Sequence, residues 1–349
     1  NVSAVMTGDG ISIDLTVPTA GNVNDGLGLD ISYTSALNSL SGNWSGFNDA
    51  VSGIANYHYA IGTELDSTDV KDWTSNGLDT SFTFTGYELI NTQVYYLSVK
   101  AIDNVGNISD TVSSNGVISD QEKPMVGIVI DGIGIDKAFT KEDTIYASWS
   151  GFADSLSGIN RYEYALGTSP GYTDMISWTD NGNLNNAALS ILLKDGESYY
   201  VSVRAVDQVG NASEVSSSDG VIADFMPPSI IEVSVEEGSL LSVLSDARIY
   251  FTISEPIIFA SAKVESRQGD TVKDSLILFD QSKAVKVTTK LVSVKVDRFT
   301  SGDKITINIG GLTDLAGNVT NNQIFVYDVS LLGDYDLDGD ISIMDLNTF

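Results

Sequence analysis

The chain repeats itself with a period of about 105 residues, and nothing else in it restricts the possible folds as strongly. The segment Asn107-Ile-Ser-Asp-Thr-Val-Ser-Ser-Asn-Gly-Val-Ile-Ser-Asp120 leads without gaps to Pro124. Asn211-Ala-Ser-Glu-Val-Ser-Ser-Ser-Asp-Gly-Val-Ile-Ala-Asp224 leads in the same way to Pro228. The stretch from Asn1 through Gly10 and Asp14 to Pro18 shares the length and pattern, so the steps are 106 and then 104 residues. Residues 1–17 are therefore expected to be the last strand of a preceding repeat, and the chain a section of a longer protein.

The correspondence continues inside the repeats. Trp44-Ser-Gly-Phe47 answers Trp149-Ser-Gly-Phe152, Tyr59-Ala-Ile-Gly-Thr63 answers Tyr164-Ala-Leu-Gly-Thr168, and Trp73 answers Trp178. Tyr199, Val201, Val203 and Ala205 alternate with Tyr200, Ser202 and Arg204, the period of two that a half-buried strand requires. Turn pairs such as Asn181-Gly182 and Asp195-Gly196 separate the runs, and no helical periodicity of useful length appears. Short strands and frequent turns predict antiparallel β-sandwiches, and 349 residues accommodate about three of them. The expected units are 18–122, 123–226 and 227–330, with 331–349 a separate C-terminal piece. The third unit differs from the two repeats: it holds ten of the 18 basic residues and is close to neutral.

The formal net charge of −29, from 18 Lys plus Arg against 47 Asp plus Glu, therefore belongs to the repeats and the tail. Such a surface repels nucleic acid and anionic membranes and favours solubility or cation binding. There is no cysteine, which excludes a disulfide scaffold and thiol nucleophiles. No run approaches the ~18 apolar residues of a membrane span.

Leu193 followed by Tyr199 and the Val-x-Val-x-Ala run resembles the tyrosine corner of fibronectin type III and related bacterial Ig-like modules, and Leu89 with Tyr95 repeats it. Trp44 and Trp149 resemble the core tryptophan of strand B. In the third unit, Ser254-Glu255-Pro256, placed where strand B should end, and Gly311-Leu-Thr-Asp-Leu-Ala-Gly-Asn318 resemble bacterial Ig-like domains of surface-layer and adhesin type. The resemblance implies an all-β, extended array of Ig-like or fibronectin III-like sandwiches in an extracellular or cell-surface bacterial protein.

The C-terminus carries a D-x-D-x-D-G calcium-loop pattern: Asp334, Asp336 and Asp338 before Gly339, then Asp340, Ser342 and Asp345. Calcium wants six to eight oxygens, and the glycine permits the sharp turn that faces these carboxylates inward. With no preceding helix and Asp at the closing position, the motif resembles the first half of a dockerin: a calcium loop followed by a short helix. Ile343 and Met344 stand where dockerins often place Ser-Thr for cohesin recognition.

The implied fold suggests further calcium sites. The chain would enter each sandwich at the end that carries the B–C and F–G loops. Asp120 would then meet Asp154 and Asp207; Asp14 would meet Asp49 and Asp103; and Asp224 would meet Glu255 and Asp314. Three carboxylates at each junction would bind calcium and stiffen a rod. The competing expectation is that these acids cap turns through their own backbone.

Nothing points to catalysis. His58 is the only histidine, and its counterpart in the next repeat is Glu163, which suggests a solvent-facing strand position. No phosphate-cradling glycine loop opens a helix. The Asn-x-Ser/Thr triplets at Asn1, Asn43, Asn107, Asn211 and Asn318 read mostly as by-products of Gly-Asn turns. Two functions follow. One is a calcium-stiffened stalk or filament segment whose partner is another protein, through self-assembly or a cell surface. The other is a set of accessory or carbohydrate-binding modules of a carbohydrate-active, cellulosome-like protein docked through the C-terminal dockerin-like unit, with Trp73 and Trp178 as the best candidates for exposed aromatics.

Overall fold

The computed structural model describes residues 9–242, 248–268, 271–277, 289–296 and 301–330. All regular structure among them is β, so no described helix is long and apolar enough to cross a membrane. The first sandwich contains β1 (Asn22–Asp25), β2 (Tyr33–Thr34), β3 (Ser39–Ser45), β4 (Ile54–Gly62), β5 (Lys71–Ser75), β6 (Ser81–Thr85), β7 (Val94–Asp103), β8 (Val112–Ser113) and β9 (Val117–Ser119). One sheet has the order β1-β3-β6; the other runs β2-β9-β7-β4-β5, with β8 also paired to β7. The pairs are antiparallel except β2 with β9, a short parallel edge the sequence reading did not anticipate.

The second sandwich reproduces this plan. Its strands are β10 (Ile128–Asp131), β11 (Phe139–Thr140), β12 (Thr144–Ser150), β13 (Ile159–Gly167), β14 (Ile176–Asp180), β15 (Asn186–Ser190), β16 (Ser198–Asp207), β17 (Ser216–Ser217) and β18 (Val221–Ala223). The sheets are β10-β12-β15 and β11-β18-β16-β13-β14.

Alternation builds both cores. Along β7, Tyr95, Leu97, Val99 and Ala101 are buried, and Tyr199, Val201, Val203 and Ala205 repeat the set on β16. Burying each large apolar side chain contributes roughly 1.5–3 kcal/mol. Trp44 and Trp149 lie in the two core clusters, each edge-on to a tyrosine. The tyrosine corner is present in both sandwiches: the Ile90 N–H donates to Tyr95 Oη and the Lys194 N–H to Tyr199 Oη, each at 2.9 Å.

The repeated phrase after the turn that follows β7 and β16, the F–G turn of the expected sandwich, has its own structural reason. Ser109 Oγ accepts the Ala101 N–H at 2.9 Å and Ser114 Oγ accepts the Leu97 N–H at 3.0 Å. Ser213 and Ser218 do the same for Ala205 and Val201. These hydroxyls satisfy buried amides where the next strand has left the ladder.

The third sandwich is built from β19 (Ile230–Val233), β20 (Leu240–Ser242), β21 (Arg248–Gln268), β22 (Thr271–Ile277), β23 (Thr289–Lys295), β24 (Lys304–Asp314) and β25 (Gln323–Ser330). Its strands form one hydrogen-bonded sheet because the long β21 pairs with β19, β22, β23 and β24. Residues 248–252 of β21 pair with β23 and 257–267 with β24, and Ile257 pairs with both. Ser254-Glu255-Pro256 therefore does not end a strand: it sits inside β21, at the register shift between Thr252 and Ile257. Pro cannot donate to a ladder, so an irregularity is where a strand tolerates it.

Candidate cation sites at the domain junctions

At the entry end of the first two sandwiches, the incoming linker meets the turn after the third strand and the turn that follows β7 or β16; in the third, Glu255 within β21 takes the place of the first of these turns. The middle junction shows how sequence sets this geometry. Asp120 follows β9, and its N–H donates to Thr34 O at 2.8 Å, which ties it to the first sandwich. Asp154 lies in the turn after β12, where its Oδ1 accepts the Leu156 and Gly158 N–H groups at 3.0 and 2.8 Å. Asp207 ends β16; its Oδ1 accepts the Val209 and Asn211 N–H groups, and its Oδ2 accepts Asn211 Nδ2 at 2.7 Å. Oxygens of Asp120, Asp154 and Asp207 all lie within 4.8 Å of one another. Asp120 is fully buried, its Oδ1 accepts the Glu122 N–H, and its Oδ2 has no hydrogen-bond partner.

The other two predicted sets also converge, each within the same 4.8 Å. Asp14 Oδ1 accepts from the Thr16 N–H and hydroxyl, leaving Oδ2 without a partner; Asp49 Oδ1 accepts the N–H groups of Val51, Ser52 and Gly53; Asp103 is held like Asp207. In the third set Asp224 and Asp314 are joined by Glu255 from the irregularity in β21. Turn capping and convergence are thus not alternatives. Loop backbone fixes one oxygen of each B–C and F–G aspartate, and that anchoring aims the carboxyl group at the linker.

Sequence reasoning missed the asparagine of the Gly-Asn turn as part of this arrangement. Asn107 Nδ2 donates to Thr16 O at 2.9 Å, Asn211 Nδ2 to Asp120 O at 3.2 Å, and Asn318 Nδ2 to Asp224 O at 2.8 Å. Each also donates to the aspartate four residues before it. The spacing Asp-x-x-x-Asn, present in all three sandwiches, was the available signal. A second tie recurs at one position of the repeat: Ser35 Oγ donates to Val209 O at 2.9 Å, and Lys141 Nζ to Gly317 O at 2.6 Å.

The electrostatics differ between junctions. Burial, then the charge of Asp314, pushes the Asp224 carboxyl above its ordinary range, and burial with Asp224 and Asp314 does the same to Glu255. Burial also acts to raise Asp103, but hydrogen bonds from the Asn107 side chain and backbone outweigh it and hold the carboxyl below the usual range. The Thr16 hydroxyl and Ser52 lower Asp14.

A fourth acidic cluster, Asp131 with Asp136 and Asp219, lies inside the second sandwich and was not foreseen. Its signal was the doubled phrase Asp25-Gly-Leu-Gly-Leu-Asp30 and Asp131-Gly-Ile-Gly-Ile-Asp136. The predicted terminal loop of Asp334, Asp336, Asp338, Asp340, Ser342 and Asp345 lies outside the described residues.

The remaining sequence candidates change character. Trp73 and Trp178 are half-buried, with Lys100 Nζ 4.0 Å from one ring centre and the Arg204 guanidinium 4.6 Å from the other. One face of each indole is therefore already taken by a cation. His58 is half-buried rather than fully solvent-facing and is paired across the sheet with Lys100; burial and that ammonium lower its pKa. Its counterpart Glu163 bridges Arg161 and Arg204.

No family model matches the chain. Over 217 residues it is 27% identical to exoglucanase B of Cellulomonas fimi, a match that covers 59% of this chain and 18% of that protein. The chain thus spans less than a fifth of the length of the curated relative it matches. Similar solved structures include a chain from structural work on a 1.5-MDa bacterial ice-binding adhesin (TM-score 0.42, 14% identity, 90% of this chain and 99% of that solved chain). Fibronectin(III)-like modules of Clostridium thermocellum CbhA give 0.32 at 15% identity over 58% of this chain and 94% of that one. The FN1–FN3 domains of chicken CNTN1 give 0.27 at 13% identity over 89% and 99%. By its strand order and pairing the chain is a series of tandem, fibronectin III-like β-sandwiches.

Proposed function

We propose that this chain is a non-catalytic stalk segment of a secreted or cell-surface bacterial protein, stiffened by calcium at its domain junctions. The observation that carries the reading is Asp120 Oδ2: a fully buried carboxylate oxygen without a hydrogen-bond donor, beside Asp154 and Asp207. An unpaired buried charge is costly, and a hard cation that takes oxygen ligands relieves it. Asp120 belongs to the linker and the other two acids to the next sandwich, so an ion there restrains one domain against the other. Partners of such a stalk are other proteins, by self-assembly or at a cell surface.

The test is small-angle scattering of the full chain with calcium and with EGTA, together with calcium stoichiometry. Removal of calcium is expected to increase flexibility at the junctions, and Asp207→Asn to reproduce part of that change while lowering the number of bound ions. Identical scattering profiles, together with unchanged stoichiometry in Asp207→Asn, would overturn the proposal.

A second reading, accessory modules of a carbohydrate-active protein, is favoured by the partial match to exoglucanase B. The cations stacked on Trp73 and Trp178 count against a sugar-stacking platform there. Binding to insoluble polysaccharide that is lost in Trp178→Ala would support this second reading over the first.

A further inference from the structure

We propose that Asp131, Asp136 and Asp219 form a separate calcium-class cation site within the second sandwich, at a position where the first sandwich uses an asparagine amide instead. This site does not depend on the junction reading, since none of its residues belongs to a junction.

The local fold prepares it. Asp131 closes β10, and the chain then turns back so that Asp136 Oδ1 accepts the Asp131 N–H at 2.9 Å while Lys137 N–H donates to Asp131 O at 2.7 Å. The turn needs its first glycine: Gly132 has φ 121°, and a Cβ there would lie 2.3 Å from Ile135 O. From the other side of the sandwich, the Gly220 N–H donates to Asp131 Oδ2 at 2.9 Å, which brings in the preceding Asp219. Oxygens of the three carboxylates lie within 4.8 Å of one another.

Two observations beyond the clustering point to a ligand. Asp131 is 1% exposed and its Oδ1 has no hydrogen-bond partner, although Asp136 and Asp219 stand beside it on the solvent side. Among the described residues, no ion pair involves any of the three acids. The first sandwich supplies the comparison. Asp25 and Asp30 occupy the same places with the same two backbone bonds, at 2.9 and 3.1 Å, but Asn115 replaces the third acid. Asn115 Nδ2 donates to Asp30 Oδ2 at 2.9 Å, so an N–H dipole stands there in place of a third negative charge. With Asp219 the donor is gone and a charge is added, and calcium, bound by oxygens at ~2.3–2.6 Å, matches both the spacing and the donor type. Water or further backbone oxygens would complete the shell from the exposed side.

The test uses the full chain and calcium alone, read by equilibrium dialysis or calorimetry. Asp219→Asn, the residue the first sandwich carries, is expected to bind one calcium fewer than the wild type. The reciprocal Asn115→Asp is expected to bind one more. Both leave the junction acids untouched, so failure of the junction reading would appear separately, in Asp207→Asn. If Asp219→Asn binds as many ions as the wild type, the site is overturned; a Lys137 ammonium folded over the recess it shares with Asp131 would give that result. Should Asp219→Asn fail to fold by circular dichroism, Asn115→Asp decides: a gained ion supports the site and an unchanged count overturns it.

Discussion

Asp25 and Asp69 belong to the same sandwich and titrate in opposite senses. Burial pushes Asp25 up to about 6, with Asp30 adding to the rise, while the hydroxyls of Ser67 and Thr63 bring Asp69 down to about 2. An acid whose pKa is raised on folding binds its proton more tightly in the folded state, so its contribution to stability falls as pH rises from about 4 to about 6. Asp69 contributes the opposite slope, at lower pH: stability that is present above its unfolded value and lost as pH falls toward about 2. We therefore expect Asp25→Asn to raise the melting temperature at pH 7.5, with the gain shrinking as the pH falls to 5, where Asp25 itself becomes neutral. A pH-independent difference in thermal melts would contradict the assignment. Two of the Asn-x-Ser triplets, at Asn107 and Asn211, are also explained at this scale. Asn107 and Asn211 have their amides committed to the linker and the F–G aspartate, and Ser109 and Ser213 cap strand amides. Neither half of the triplet is free for another role.

Elements in the two repeats solve one packing problem in two ways. In β3, a Cβ on Gly42 would stand 2.1 Å from Leu97 Cδ2 and 2.9 Å from Phe82 Cε1. In β12 the same position is Ala147, facing Ala187 across the sheet, with Val201 in place of Leu97. Small and large residues are exchanged between facing positions so that the layers still interdigitate. Gly42→Ala alone is expected to lose about 1–3 kcal/mol through overpacking. Leu97→Val in the same chain should recover part of that loss, as denaturant midpoints would show; additive losses would contradict the pairing. The tyrosine corner belongs here as well. Tyr199→Phe removes the acceptor for the Lys194 amide and is expected to cost about 0.5–1.5 kcal/mol by urea denaturation.

At the scale of the whole molecule, the net charge of −29 sets up self-repulsion that two kinds of ion would relieve differently. Monovalent salt screens exposed charges beyond roughly 8 Å at physiological strength but reaches a buried carboxylate such as Asp120 poorly. In EGTA, 0.5 M sodium chloride is thus expected to leave the junctions flexible in small-angle scattering, whereas calcium at about one-hundredth of that concentration stiffens them. Equal stiffening by both would reduce the junction effect to general screening. The third sandwich enters this balance with a different linker geometry. Its Glu255 projects from a continuous strand instead of a turn, and its longer side chain joins Asp224 and Asp314.

Much of this was legible in the chain alone, because repeats of alternating residues separated by Gly-Asn turns determine strands, strand faces and the tyrosine corner locally. The three junction sets could be named from sequence for a related reason: sandwich topology fixes which loops share an end, and each set takes one acid from each of three such places. What only the tertiary structure decided is where atoms are left without partners. That Asp120 Oδ2 and Asp131 Oδ1 are buried and unbonded depends on contacts across roughly 90 residues of sequence, as between Asp131 and Gly220. The strand β21 running through Ser254-Glu255-Pro256, and the cations on Trp73 and Trp178, have the same origin. Local pattern determines which face a side chain takes; the neighbour that meets it there is set by the packing of distant strands.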